Sequence, residues 1–329
     1  MTNTLQKLQD LEPSTEEFHA AVYAGLRQSE KSLPCKFFYD AEGSRLFEKI
    51  CDLPEYYPTR TECRILEKHA GDIARLIGPR ARLVEFGSGA GVKIRLLLSA
   101  LERPTAYVPV DISRLHLLAA ASSLAKDFPH LAVAPICADY TKAFTVPAPA
   151  GTLPAVTVGF FPGSTIGNFT PEEACAFLES ARFLLGPGSA MIVGVDLRKE
   201  EAVLVRAYDD AAGVTAAFNL NLLRRINREL GGTFQLDQFT HLARWNDSLG
   251  RMEMHLVSRR AQHVEIGRDR FFFQEGETIH TENSHKYTLD QFQALAREAG
   301  YEPLAVWTDA AKLFSVHLFC DAGSSGKAD

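Results

Sequence analysis

Three carboxylates that close three apolar runs, with a glycine turn beside the first, are the residues of this chain best suited to do chemistry. The first run is LVEFGSGAGVK, Leu83 to Lys93, where a buried-strand pattern meets Glu85, then Gly87, Gly89 and Gly91, then the start of a helix. Glycines there remove the Cβ atoms that would hold a ligand off the backbone, and they permit the left-handed dihedrals of a tight turn. The spacing is G-x-G-x-G rather than the G-x-G-x-x-G that seats a pyrophosphate, and an acid precedes it. That pattern favours a ligand with no phosphate and a cationic head. The second run, AYVPVDIS, ends at Asp111, about 20 residues beyond the glycines, where a carboxylate takes ribose hydroxyls. The third, LAVAPICADY, ends in Asp139 and Tyr140, suited to an adenine ring by edge hydrogen bond and by stacking. Glu85, Asp111 and Asp139 together would surround a positively charged conjugate of an amino acid and a nucleoside.

Such acids share one edge only if their strands run parallel. Apolar runs near 83, 107, 132, 155 and 190 alternate with helical stretches, which predicts a parallel sheet with its ligand at the carboxyl ends. From 198 to about 230 the pattern turns helical, and FTHLARWNDSLGRMEMHLVSRRAQHVEI then alternates as strands do. TLDQFQALAREAGY restores a helix closed by Gly300, and EPLAVWTDAAKLFSVHLFC reads as two strands joined by a short loop. This order resembles the S-adenosylmethionine-dependent methyltransferases. The expected fold is therefore α/β: a Rossmann-like class I methyltransferase core, mostly parallel with an antiparallel last strand, and a second α+β substrate domain. The expected core covers 61–197 and 288–321; the substrate domain covers 1–60 and 198–287.

Composition narrows the partners. The chain has 329 residues, a net charge of -6 and a pI near 6.0, so no basic stripe is available to neutralise phosphates. Nucleic acid is not expected, and a small-molecule substrate is. Six scattered cysteines form no C-x-x-C pair, which predicts reduced thiols. The N-terminus lacks a basic-then-apolar signal, and no apolar run approaches a membrane span. A cytoplasmic enzyme, monomeric and free of membrane, is the expectation.

Three further stretches could hold an acceptor. KFFYDAEGSRLFEKICDLPEYYPTRTE, 36 to 62, is dense in aromatics, and faces of such rings suit an amine that gains methyl groups and ends without N–H donors. VGFFPGSTIGNFTPEEA, 158 to 174, breaks a strand at Pro162 and Gly163, where a ligand can approach the chain. Asn168 can donate to a carboxylate there, while Thr170 with Glu173 forms the better helix cap. IHTENSHKYT, 279 to 288, offers Glu282 and Ser284 to the N–H of an imidazole or similar ring. His280 and His285 beside them match no metal-ligand spacing, and no metal is expected.

FYDAEGSRLFE, LPEYYPTRTE, EFGSGAGVK, PGSTIGNF, RMEMHL and TENSHKY together resemble the histidine Nα-methyltransferases that form hercynine in ergothioneine biosynthesis. The likeness implies S-adenosylmethionine as donor and L-histidine as acceptor. It implies that Tyr39, Gly87, Lys93, Asp111, Asp139 and Tyr140 contact the donor, with Tyr140 standing where the family commonly has Phe. Asn168 and Tyr208 would take the α-carboxylate; Tyr56, Glu282 and Ser284 would take the imidazole, with Met254 against the ring. Tyr39 and Phe47 would lie near the reacting amine, and Gly163 would line the acceptor side. No strong base emerges from the sequence, and the amine's proton would leave through Tyr39 or a chain of waters. The same family includes fungal enzymes that methylate prenylated tryptophan, so another aromatic amino acid is the alternative acceptor. A nicotinamide oxidoreductase would need the missing G-x-G-x-x-G, and a binding module without catalysis would have no need of an intact donor motif.

Overall fold

The computed structural model describes residues 5–12, 14–89, 91–147 and 153–324. The chain opens with β1 (Gln9–Leu11), α1 (Thr15–Leu26), β2 (Lys31–Ser32), α2 (Ala41–Asp52) and α3 (Tyr57–Ile77). There follow β3 (Ala81–Phe86), α4 (Val92–Ala100), β4 (Ala106–Asp111), α5 (Arg114–Asp127), β5 (Ala132–Val133), β6 (Ile136–Ala138), β7 (Val156–Phe161), α6 (Pro171–Leu185) and β8 (Ala190–Asp196). Next come α7 (Glu201–Tyr208), α8 (Val214–Leu230), β9 (Phe239–Asn246), β10 (Arg251–Ser258), β11 (Gln262–Ile266), β12 (Asp269–Phe273) and β13 (Thr278–His285). The last elements are α9 (Leu289–Glu298), β14 (Tyr301–Thr308) and β15 (Phe314–Asp321). Two compact units result: 1–12, 58–198 and 285–329 form unit 1, and 13–57 with 199–284 form unit 2.

Unit 1 is built on a nine-stranded sheet in the order β1-β6-β4-β3-β7-β8-β15-β14, with β5 beside β4. Strands β1, β6, β4, β3, β7 and β8 pair in parallel, and β15 lies antiparallel between β8 and β14. The α/β class with an antiparallel closing strand is as the sequence predicts. Alternation along β3 sends Val84 and Phe86 into a core with α6 and α9, through Phe177, Leu178, Phe292 and Leu295. Ala81 and Leu83 face the opposite core, with Ile65 and Leu66 of α3 and Leu97 of α4. A sheet covered on both faces explains the unbroken apolar runs, since neither face of a central strand meets water. Residues 1–12, expected with the substrate domain, belong to unit 1, where β1 pairs with β6 at the sheet's edge.

Unit 2 carries a four-stranded sheet, β2-β13-β10-β9, the hairpin of β11 with β12, and helices α1, α2, α7 and α8. Both faces of β10 are buried, from Met252 to Leu256. Among the described residues no helix is long and apolar enough to cross a membrane.

Candidate active site

In unit 1 the strand-end residues converge on the glycine turn. Gly87, Gly89 and Gly91 all have positive φ (73°, 47° and 69°), a region costly for any side chain with a Cβ. Asp111 accepts the Gly89 N–H at 3.1 Å on one carboxylate oxygen and the Ser113 N–H at 2.9 Å on the other. These bonds aim the carboxylate, and its remaining lone pairs suffice for two hydroxyls. Asp139, buried, accepts from the Thr141 N–H (3.0 Å) and hydroxyl (2.6 Å) through the same oxygen. Tyr140 stands over the turn, so that a Cβ on Gly87 would lie 3.8 Å from its ring. A nucleoside-shaped donor fits this set: a glycine floor, a ring face, and two oriented carboxylates.

Glu85 departs from its expected role. Its side chain is buried and accepts the hydroxyl of Tyr107, and burial pushes its carboxyl up to about 8, with Lys93 partly opposing. Alternation on β3 puts it on the same sheet face as Leu83, so at neutral pH it is mainly a protonated buried group and offers no full charge to a cation.

The loop after β7 holds Gly163 (φ 79°), whose N–H is donated to Glu62 at 2.9 Å. Its contribution to a ligand is thus close approach rather than a free amide. Asn168 ends a 3-10 turn, Thr165–Asn168, and does not cap α6; the Thr170 and Glu173 capping box does. Its half-buried side chain is left to other work.

Unit 2 assembles the remaining candidates. Tyr39 follows a 3-10 turn, Cys35–Phe38, and Asp40 fixes what comes next, accepting from the Gly43 N–H (2.7 Å), Asn221 (2.8 Å) and Arg228 (2.6 Å). A Cβ on Gly43 would lie 1.7 Å from the Phe38 carbonyl oxygen, so only glycine lets α2 start against that turn. The rings that result form a chain: Tyr39 to Phe47 at 5.7 Å, Phe47 to Tyr56 at 6.2 Å and Tyr56 to Tyr208 at 6.4 Å, all edge-to-face. Phe218 of α8 packs on Tyr39 at 5.8 Å and Phe47 at 6.0 Å. It escaped the sequence reading because a phenylalanine on an amphipathic helix has the signature of plain core; its spacing from Leu222 is the only signal.

The chain of rings ends in polar groups. The Tyr208 hydroxyl donates to Ser284 Oγ at 2.7 Å, and both residues are buried. Burial, reinforced by Tyr208, Cys51, Tyr39 and Glu282, raises the Tyr56 phenol well above its ordinary range, so it stays a neutral donor. The Glu282 carbonyl accepts from His280, which stacks on His255 at 4.7 Å. Met254, buried on β10, pairs in register with Ala243. Tyr56, Tyr208, Met254, Glu282, Ser284, Phe47 and Tyr39 thus belong to unit 2, while Gly87, Lys93, Asp111, Asp139, Tyr140, Gly163 and Asn168 belong to unit 1.

Among the described residues one grouping, Asp10, Glu12 and Cys137, brings potential ligand atoms within 4.8 Å of one another. Asp10 is already paired with Arg114 at 2.8 Å, and burial followed by the two acids pushes the Cys137 thiol up to about 12.

Comparison with known proteins gives concordant matches. The sequence pattern of a family described as histidine-specific methyltransferase, SAM-dependent, matches residues 18–321. The chain is 41% identical to a histidine N-alpha-methyltransferase of Mycolicibacterium smegmatis, over 97% of this chain and 99% of that protein. It is 40% identical to a histidine N-alpha-methyltransferase of Mycobacterium tuberculosis, over 90% of this chain and 92% of that one. More distantly, it is 28% identical to a 4-dimethylallyltryptophan N-methyltransferase of Epichloe festucae var. lolii, over 88% and 90% of the two chains.

Proposed function

This chain belongs to the histidine-specific, S-adenosylmethionine-dependent methyltransferases, and from that premise we propose that it methylates the α-amine of L-histidine three times, giving hercynine for ergothioneine biosynthesis. When bound, the donor supplies an electrophilic methyl on a sulfonium, and transfer is an in-line displacement by the amine. The protein's own task is alignment and exclusion of water. Asp111 takes the ribose hydroxyls, Asp139 and Tyr140 the adenine ring, and Lys93 the cofactor's anionic end.

What supports histidine as acceptor is the polar end of the unit 2 ring chain, where Tyr208, Ser284 and Glu282 stand among aromatic faces. A hydroxyl both donates and accepts, and its hydrogen turns to suit its partners. With histidine bound, Ser284 donates to Tyr208, and the Tyr208 O–H turns to the α-carboxylate. Ser284 then accepts the imidazole N–H on a lone pair, Glu282 and Tyr56 complete the ring's contacts, and Met254 packs on its face. Tyr39, Phe47 and Phe218 present ring faces to the amine as it becomes a quaternary ammonium. The α-ammonium must lose a proton before each transfer, and Tyr39 or a chain of waters passes it to solvent.

Two measurements test these roles. Tyr208→Phe and Ser284→Ala should each raise the KM for histidine, and the double variant should cost less than their sum, because both break one relay. Additive losses would sink the relay. Glu282→Ala should lower the ratio of kcat/KM for histidine over tryptophan, since it removes a half-buried acceptor that an imidazole N–H uses and an indole in the same place does not. A constant ratio with both rates reduced would make Glu282 a structural residue.

A further inference from the structure

Glu62 on α3 is a carboxylate fully buried in unit 1. One oxygen is ion-paired with the Lys93 ammonium at 2.6 Å and accepts the Gly163 N–H at 2.9 Å. The other oxygen is buried without a hydrogen-bond partner, pressed on β8 where a Cβ at Gly194 would come within 2.0 Å of it. Three separate pieces of backbone therefore meet on one side chain: the helix start after the glycine turn, the loop after β7, and the middle of β8. A charge this deep is costly unless it is paired, and breaking such a pair is costlier than never having it. Neither core packing nor a solvated helix face accounts for a carboxylate here.

We infer that Glu62 is a positioning residue: it holds the Lys93 ammonium in the direction required to meet the donor, and is itself aimed by the Gly163 amide and the bare Gly194. The inference rests on Lys93 contacting the donor. An ammonium is a point charge on a flexible four-carbon stem, and the ion pair with Glu62 sets where that charge stands.

The test uses the full chain and S-adenosylhomocysteine as calorimetric probe, so it needs no turnover. Glu62→Gln and Lys93→Met should each weaken the probe roughly tenfold, and the double variant should be no weaker than Lys93→Met alone, the two acting through one contact. In turnover, Glu62→Gln should raise the KM for S-adenosylmethionine by a similar factor with kcat at saturating donor within about twofold, a split that general loosening of the fold would not give. Gly194→Ala pushes the same carboxylate from the other side and should reproduce the loss, which decides the matter if Glu62→Gln does not fold. Wild-type affinity in Glu62→Gln, or in Gly194→Ala, alongside a weakened Lys93→Met, overturns the role of Glu62 and leaves Lys93 at the donor. Losses that multiply in the double variant also overturn it. Wild-type affinity in Lys93→Met removes the donor reading of Lys93, and the inference with it.

Discussion

A carboxylate can close a strand and still face the interior, and Glu85 is the case in point. Leu83 and Glu85 share one face of β3, and Tyr107 on the neighbouring strand reaches the carboxylate. That partner lies 22 residues away, so the sequence marks an acid at a strand end without revealing that it is capped. Asp111 and Asp139 each accept an amide two residues on, the ordinary turn chemistry of aspartate that a sequence can show, although Asp111 also takes the Gly89 N–H from 22 residues away. Glu85 also has a consequence for pH. Its folded pKa is raised to about 8 from 4.5, so the fold binds its proton more tightly than the unfolded chain does. The resulting stability is fully present below about 4.5 and is lost as pH rises toward 8. Glu85→Gln removes that dependence. Denaturant midpoints of the variant and the parent should therefore diverge between pH 5 and 8, the variant gaining relative to the parent as pH rises. Parallel midpoint curves would show that Glu85 is ionised in the fold.

At the scale of elements, short motifs turn out to serve two masters. In FYDAEGSRLFE, Tyr39 and Phe47 face their ring neighbours, while Asp40 and Gly43 exist to begin α2 hard against the Phe38 carbonyl. Gly43→Ala is expected to cost about 1–3 kcal/mol of stability by overpacking and to raise the KM for histidine through the displaced turn. Chemical denaturation with steady-state kinetics checks both, and an unperturbed alanine variant would mean that the turn yields without moving Tyr39. Helical periodicity made α3, α6, α8 and α9 readable, and strand alternation made β9 and β10 so. What periodicity hid was β1, three largely exposed residues with no apolar alternation, whose place comes only from pairing with β6. Phe218 and Glu62 stayed hidden for a related reason: each looks ordinary on its own helix, and its partners arrive from distant segments.

The whole molecule divides into two units, and the sequence changes rhythm near 198 and 288. In the structure the chain passes from unit 1 to unit 2 at Lys199 and returns at His285, within a motif. TENSHKY therefore splits: Glu282 and Ser284 fall in unit 2, and Lys286 is buried in unit 1 in an ion pair with Asp196 at 2.7 Å. The pair joins the end of β8 to the point where the chain re-enters the core, and Tyr287 bridges to Leu197 beside it. Unit 1 holds two strand-end carboxylates aimed by backbone amides, and unit 2 holds a chain of rings that ends in two hydroxyls. The claim common to both is that one amino acid receives methyl groups on one nitrogen. Incubating the full chain with isotopically labelled S-adenosylmethionine and each proteinogenic amino acid in turn, with products read by mass spectrometry and the methylated nitrogen located by NMR, tests it most directly. Histidine alone should gain three labelled methyl groups, all on the α-nitrogen; label on a ring nitrogen, label on tryptophan in preference to histidine, or histidine recovered unchanged would contradict it.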